Sequence, residues 1–142
     1  MKVTDPLAGD DSHLDEFRQR YRMAPDEATR QIELAVTGGD WGVYGYTTVD
    51  QARRLAEALH LGPGSRLLDV GCGRGWPGLY LAVETGCSVV MTDVPIEGVG
   101  RAVARAATEG VTDRATAVVC RAPALPFARG SFDAVVHTDV LC

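Results

Sequence analysis

The sequence contains no long apolar run and no excess of basic charge. No stretch approaches the roughly 18 consecutive apolar residues of a membrane-spanning helix, and residues 1–6 lack the apolar centre of a secretory signal. The formal net charge is −5, which disfavours nucleic acid as the main partner because phosphate binding relies on a basic field. We therefore expect a cytoplasmic chain of 142 residues that forms one globular domain and binds neither nucleic acid nor a membrane.

The sequence also lacks clustered cysteines. Its four cysteines, Cys72, Cys87, Cys120 and Cys142, stand singly, and no CxxC pair or Cys/His cluster indicates a metal site. Isolated cysteines are typical of free thiols in a reducing cytoplasm rather than of a disulfide framework. The sequence thus predicts neither a bound metal nor disulfide bonds.

The most informative stretch is residues 65–80, with the sequence SRLLDVGCGRGWPGLY. An apolar run stops at Gly71, Gly73 and Gly75, and a helical pattern begins at Pro77. Glycine tolerates positive φ and lets a ligand approach where a Cβ would block it, while proline suits the first position of a helix. The pattern predicts a strand, a tight turn and a helix, which together bring backbone N–H groups against a ligand.

Strands and helices alternate from this stretch onward, which predicts an α/β fold with a parallel sheet. Right-handed crossovers give the strand order 3-2-1-4, and such sheets bind ligands at the switch point between strands 1 and 4. The predicted strands are 66–70, 88–92, 116–120 and 132–137, and the predicted helices are about 77–84 and 96–108.

Residues 1–48 are predicted to form a helical cap and an aromatic loop, ahead of an α/β domain over 49–142. The loop allows two interpretations. In one, Trp41, Tyr44 and Tyr46 pack the cap onto the domain; in the other, a Tyr hydroxyl, such as that of Tyr44, lines the mouth of the ligand site. The predicted helices of this part begin near residues 13, 25 and 49, and the first carries Leu14, Phe17 and Tyr21 on one face.

Two aspartates narrow the choice of ligand. Asp93 ends strand 2 about 20 residues after the turn, where a carboxylate either accepts hydrogen bonds from both ribose hydroxyls of an adenosine or caps the next turn. Asp69 lies inside strand 1, where an anion would repel a pyrophosphate but suit a ligand with positive charge. Residues 73–78 match the GxGxxG pattern of nucleotide-dependent oxidoreductases, but Asp69 favours a cationic adenosine, namely S-adenosylmethionine.

The same residues resemble a known family. Residues 67–75 look like motif I of the class I S-adenosylmethionine-dependent methyltransferases, and residues 92–94 resemble their acidic motif II. Residues 125–127 and 130–136 are similar to the strand-4 region of the ubiquinone-biosynthesis-like small-molecule group. The resemblance covers about residues 49–142 and implies a Rossmann-like methyltransferase sheet. It also implies in-line methyl transfer to a small-molecule acceptor, with S-adenosylhomocysteine as the product.

The resemblance also implies a set of cofactor-binding residues. Asp69 and the backbone of residues 71–75 would hold the methionine part, Asp93 the ribose, and Val94 the adenine. One departure concerns Arg121, which stands where the family usually has an aspartate that binds the adenine amino group; this predicts weaker adenine selectivity. The full predicted set is Asp69, Gly71, Cys72, Gly73, Gly75, Asp93, Val94, Ala122, Thr138 and Tyr44.

Catalysis needs alignment more than acid–base chemistry, because the sulfonium leaving group departs as a neutral thioether. If the acceptor must lose a proton, the candidates are His137 and Asp139; the alternatives are a satisfied strand imidazole and a helix cap. The resemblance implies seven strands, whereas the pattern here supplies four. We therefore expect a truncated chain or one completed by dimerisation along strand 4, and as an alternative a cofactor-binding module without catalysis of its own.

Overall fold

The computed structural model describes residues 12–43 and 45–140. Four parallel strands form one sheet in the order β3-β2-β1-β4, with Leu67 of β1 level with Val89 of β2 and Ala134 of β4. The predicted α/β fold and strand order are confirmed. The strands are β1 Arg66–Val70, β2 Ser88–Asp93, β3 Ala115–Val119 and β4 Ala134–Val136; the helices are α1 Ser12–Arg22, α2 Glu27–Thr37, α3 Val49–Ala58, α4 Gly78–Thr85 and α5 Ile96–Thr108.

The central strands lie at the middle of the hydrophobic core. Leu67 of β1 and Met91 of β2 are fully buried, as are Leu79 and Leu81 of α4. Strands covered by helices read as continuous apolar runs rather than alternating ones, which explains the sequence of residues 66–70. Each such side chain stabilises the fold by about 1.5–3 kcal/mol relative to an exposed position. The turn after β1 therefore follows directly from a strand that is fixed within the hydrophobic core.

Several predicted element ends shift by one to three residues. Helix α4 begins at Gly78, with Pro77 as its cap residue, and α3 ends at Ala58, whereas the amphipathic pattern predicts a helix from Val49 to Leu61. Strand β4 is shorter than predicted, with three residues against the six of 132–137. Helix and strand ends fray, and these shifts leave the order of elements unchanged.

Helix α2 buries a polar face. Glu33 and Thr37 are buried, whereas Ile32 and Val36 are exposed. The Glu33 Oε1 atom accepts the backbone N–H groups of Trp41 at 2.8 Å and Val43 at 3.0 Å. A buried carboxylate needs such donors, and here they fix the loop that follows the helix.

The aromatic loop packs through Trp41. Its ring lies 5.3 Å from that of Tyr80 and 6.1 Å from that of Trp76, so for Trp41 the packing interpretation holds. Tyr46 is 88% exposed, and Tyr44 lies outside the described residues. The boundary predicted at residue 48 stays a prediction. Among the described residues, no helix is long and apolar enough to span a membrane.

Candidate cofactor site

The turn after β1 is tied to the end of β2. The N–H groups of Gly71 and Cys72 donate to the Thr92 carbonyl at 2.7 and 3.0 Å, and Gly75 N–H donates to the Cys72 carbonyl at 2.7 Å. Gly71 has φ of +77° and Gly73 has φ of +52°, a conformation that costs other residues free energy. The glycines therefore place bare backbone at the carboxyl ends of the two central strands.

Asp93 joins β2 to this turn. Its Oδ2 atom accepts the Gly73 N–H at 2.6 Å, and its Oδ1 atom accepts the Val94 N–H at 2.7 Å. Burial raises the pKa of the Asp93 carboxyl, and the hydrogen bonds from Val94 and Gly73 partly oppose that rise. The capping interpretation thus describes its contacts here. Contact with a ribose stays a prediction, and the partly exposed carboxylate is placed for it.

Asp69 lies beneath the turn. It is fully buried, and its Oδ2 atom accepts the Gly78 N–H at the start of α4 at 2.8 Å. Burial, opposed by the Gly78 hydrogen bond and aided by the charge of Asp93, raises the Asp69 pKa to about 8. The carboxyl is buried, as the sequence predicts, but with this pKa it is largely protonated at neutral pH in this structure, and its contact with the methionine part stays a prediction.

Two adjoining cavities open beside the turn. The larger has a volume of about 260 Å³ and separates the end of β2 from α1. The smaller, of about 60 Å³, lies against the turn and the end of β4. Their shared lining joins α1 to the sheet, at the switch point where such sheets bind ligands. The shared residues are Phe17, Tyr21, Gly71 and Asp139.

Six of the predicted cofactor residues line these cavities. Gly71, Cys72, Gly73 and Thr138 face the smaller cavity, and Asp93 and Val94 face the larger. As far as the described residues form the lining, it excludes Asp69, Gly75, Ala122 and His137. Tyr44 lies outside the described residues.

The structure explains why Gly75, Ala122 and His137 do not line the two cavities. A Cβ on Gly75 would stand 2.5 Å from the Leu79 Cδ1 atom, so this glycine serves the packing of α4 rather than a ligand. Ala122 is exposed at the start of a short 3₁₀ helix, and Arg121 faces the larger cavity in its place. His137 is exposed because Val136 before it is buried and side chains alternate along a strand.

Asp139 is held by the aromatic loop. Its Oδ2 atom accepts the backbone N–H groups of Tyr46 at 3.1 Å and Thr47 at 3.3 Å, and the Thr47 hydroxyl at 3.0 Å. The residue has φ of +58°. Its carboxylate lines both cavities, yet these donors give it the role of fixing the loop. Of the two candidate bases, Asp139 therefore reaches the site and His137 does not.

The role of α1 as the roof of the site was not predicted from the sequence. Leu14, Phe17 and Tyr21 of α1 line the larger cavity. The apolar face of α1 is visible in the sequence, but the surface that it covers depends on contacts with residues about 80 positions away. Val140 was also missed: a Cβ on Gly71 would collide with its side chain. Within the described ranges, no cluster of three His, Cys, Asp or Glu side chains could hold a metal ion.

A parallel sheet with a glycine turn at its switch point defines a Rossmann-like domain that binds a nucleoside cofactor. A protein-family model described as a methyltransferase domain matches residues 67–142, which is more than half of the chain. The chain therefore belongs to this methyltransferase domain family.

Relatives extend this result. The chain is 36% identical over 89 residues to 24-methylenesterol C-methyltransferase 2 of Oryza sativa subsp. japonica, covering 63% of this chain and 24% of that protein. It is 39% identical over 82 residues to 27-O-demethylrifamycin SV methyltransferase of Amycolatopsis mediterranei, covering 58% and 30%. The chain thus spans between 24% and 30% of the length of these two relatives.

Solved structures share the fold. One is an S-adenosylmethionine-dependent methyltransferase from Geobacter sulfurreducens in complex with S-adenosyl-L-homocysteine, with a TM-score of 0.63, 24% identity, and coverage of 75% of this chain and 43% of that one. Another is geranyl diphosphate C-methyltransferase from Streptomyces coelicolor, with a TM-score of 0.58, 27% identity, and coverage of 62% and 33%.

Proposed function

We propose that the protein transfers a methyl group from S-adenosylmethionine to a small-molecule acceptor. The observation that carries the proposal is that the glycine turn and Asp93 meet between the two adjoining cavities. The Gly73 N–H donates to the Asp93 carboxylate at 2.6 Å; Gly73 lines the smaller cavity and Asp93 the larger, and both cavities lie beneath α1. Family membership and relatives that are themselves methyltransferases support the reaction class.

The residues present suit this cofactor. Gly71 and Gly73 leave a cradle that a Cβ would fill, since it would meet Val140 at the first and Tyr21 at the second. We place the adenosine in the larger cavity, against Asp93 and Val94, and the methionine part along the turn towards Thr138. The bound cofactor supplies an electrophilic methyl group on a sulfonium. The protein's contribution is to align the acceptor with that carbon and to exclude water, which can supply several kcal/mol.

Support for a small-molecule acceptor comes from the relatives. Their names give a sterol and a rifamycin as the molecules they methylate, and one structural neighbour is in complex with geranyl diphosphate. The net charge of −5 is a poor match for nucleic acid. We therefore extend to this chain a small-molecule acceptor rather than nucleic acid.

A second candidate function is cofactor binding without catalysis. The observation that favours it is the state of the two candidate bases: His137 is exposed outside both cavities, and Asp139 accepts three hydrogen bonds from the aromatic loop. An acceptor that must lose a proton would then need a base from elsewhere. The two candidate functions can be distinguished experimentally, because only the first predicts transfer of the methyl group.

Equilibrium binding and transfer assays test both. S-adenosylhomocysteine should bind by calorimetry whereas NAD should not, and Asp93→Asn should weaken binding roughly tenfold through loss of a charged hydrogen bond. Asp50→Asn, a change at an exposed acid of α3, is the matched control. Tritium moving from labelled S-adenosylmethionine into sterol or polyketide acceptors would favour catalysis, and binding without transfer would favour the module. Preferential binding of NAD would contradict both.

A further inference from the structure

The last turn of α1 is held by a side chain from the glycine turn. One Arg74 guanidinium nitrogen donates to the carbonyls of Arg20 at 2.9 Å and Met23 at 2.8 Å. These carbonyls lie at the C-terminal end of the helix, which lacks intrahelical donors and carries partial negative charge. A cation at this end therefore stabilises the helix in two ways: it donates hydrogen bonds to the free carbonyls, and its charge offsets their partial negative charge.

A second arginine holds the same end from another direction. Arg101 of α5 donates to the carbonyls of Tyr21 at 3.4 Å and Arg22 at 3.1 Å. Arg22 in turn pairs with Glu97 of α5 at 2.6 Å. Four consecutive carbonyls, from residues 20 to 23, thus accept from Arg74 and Arg101. Helix α1 is fixed by its backbone as well as by its apolar face.

Arg74 is placed to join the floor of the cofactor site to its roof. It stands between Gly73 and Gly75, is only 7% exposed, and lines the smaller cavity. Its guanidinium also lies 6.0 Å from the centre of the Tyr21 ring. Any movement of the turn therefore moves the group that holds α1, and any movement of α1 shifts Phe17 and Tyr21 over the cavities.

The arginines could instead form an anion site, because Arg74, Arg101 and Arg105 line a third cavity of about 400 Å³. The contacts oppose this interpretation. Arg74 and Arg101 donate to the carbonyls of residues 20–23, and Arg105 donates to the Asp40 carbonyl and pairs with Glu109. Each guanidinium already serves the backbone or an acid of this chain, so the cluster ties the N-terminal segment to the core.

We infer that Arg74 is a positioning residue that couples cofactor binding to docking of α1, with Arg101 as its partner in holding the helix. The inference rests on the proposed function, since it concerns the same site. It assigns to Arg74 a task separate from ligand contact, because its side chain holds the end of the helix that covers the site. Loss of either arginine should open the roof and weaken binding.

Substitution of Arg101 tests the coupling without altering the glycine turn, because Arg101 contacts α1 rather than the turn. It lines the third cavity and is absent from the described lining of the two cofactor cavities. We therefore expect Arg74→Ala and Arg101→Ala each to weaken S-adenosylhomocysteine binding roughly tenfold in calorimetry. The double variant should lose less than the product of the two effects, since both act through one helix. Arg53→Ala, at an exposed pair with Asp50 on α3, is the control and should bind normally.

Hydrogen exchange supplies a readout that a purely structural role would leave unchanged. In the wild-type protein, S-adenosylhomocysteine should increase protection of the α1 amides, and in both arginine variants that increase should disappear while the sheet stays protected. Normal binding by Arg101→Ala despite faster α1 exchange would overturn the coupling. Unchanged α1 exchange in both variants would overturn the docking role. A wild-type protein that binds no S-adenosylhomocysteine, with α1 still released by Arg101→Ala, would instead refute the proposed function and leave the docking role standing.

Discussion

Replacing Asp69 by asparagine should change how the stability of the protein depends on pH. The Asp69 carboxyl is fully buried, and only Oδ2 has a hydrogen-bond partner among the described residues, the Gly78 N–H. Asparagine keeps an oxygen for that N–H and is neutral at every pH, so it imitates the protonated acid. The substitution thus removes one titration while preserving the shape of the site.

The sign and size of the effect follow from the pKa. Burial raises the Asp69 pKa from 3.8 to about 8, so between these values the folded state holds a proton that the unfolded chain has released. The stabilisation is complete below the unfolded pKa and is lost as the pH rises through about 8. The maximum slope is about 1.4 kcal/mol per pH unit, so from pH 5 to pH 7 the wild type should lose about 2.5 kcal/mol relative to the variant.

Urea unfolding of both proteins at several pH values between 5 and 8 would measure this difference. All other titrating groups are shared, so subtracting the two profiles isolates Asp69. Asp50→Asn, at an exposed position of α3, is the matched control and should give a profile parallel to that of the wild type. Parallel profiles for Asp69→Asn and the wild type would refute the account of a buried, protonated carboxyl.

Three further predictions concern the turn, the adenine end and the sheet edge. Gly71→Ala should lower the free energy of unfolding by about 1–2 kcal/mol because of the positive φ alone, and by more because the new Cβ would collide with Val140. Gly100→Ala in α5 is the control and should not destabilise the protein, because the space around Gly100 is open. Equal thermal stability of the two variants would contradict this prediction. Arg121→Asp should tighten S-adenosylhomocysteine binding and increase its sensitivity to analogues altered at the adenine amino group, and unchanged sensitivity would argue against an adenine contact there. Because β4 pairs only with β1 among the described strands, we predict dimers by sedimentation, and a monomer at all concentrations would count against pairing along this edge.

The parts of the fold that local chemistry determines were predictable from the sequence. Short apolar runs between turn and helix signals indicated the strands of the sheet, and right-handed crossovers indicated their order. The spacing of Asp93 from the turn placed it at the neighbouring strand end, where the structure has it in contact with Gly73. These features depend on residues close in sequence or on rules that hold for all parallel sheets.

The parts that depend on long-range packing were not predictable. The roof of the site comes from α1, which is fixed by Arg74 and Arg101, some 50 and 80 residues further along the chain. Asp69 was expected to face the ligand, but its side chain points under the turn to Gly78. The exposure of His137, which directly follows β4, depended on the pairing register of β4 with β1, because a register slip of one residue moves every side chain to the other face.

Photo-cross-linking with labelled S-adenosylmethionine tests the central claim most directly, because it reports where the cofactor lies. Trypsin would release the peptides 67–74 and 75–101, which carry the turn and the Asp93 region respectively. We predict that the label is confined to these peptides, to the α1 region and to the peptides 115–121 and 130–142, which carry Arg121 and Thr138 of the cavity lining, and that excess S-adenosylhomocysteine prevents it. Labelling that falls elsewhere in the chain, or that S-adenosylhomocysteine does not suppress, would contradict a cofactor site between the glycine turn and Asp93.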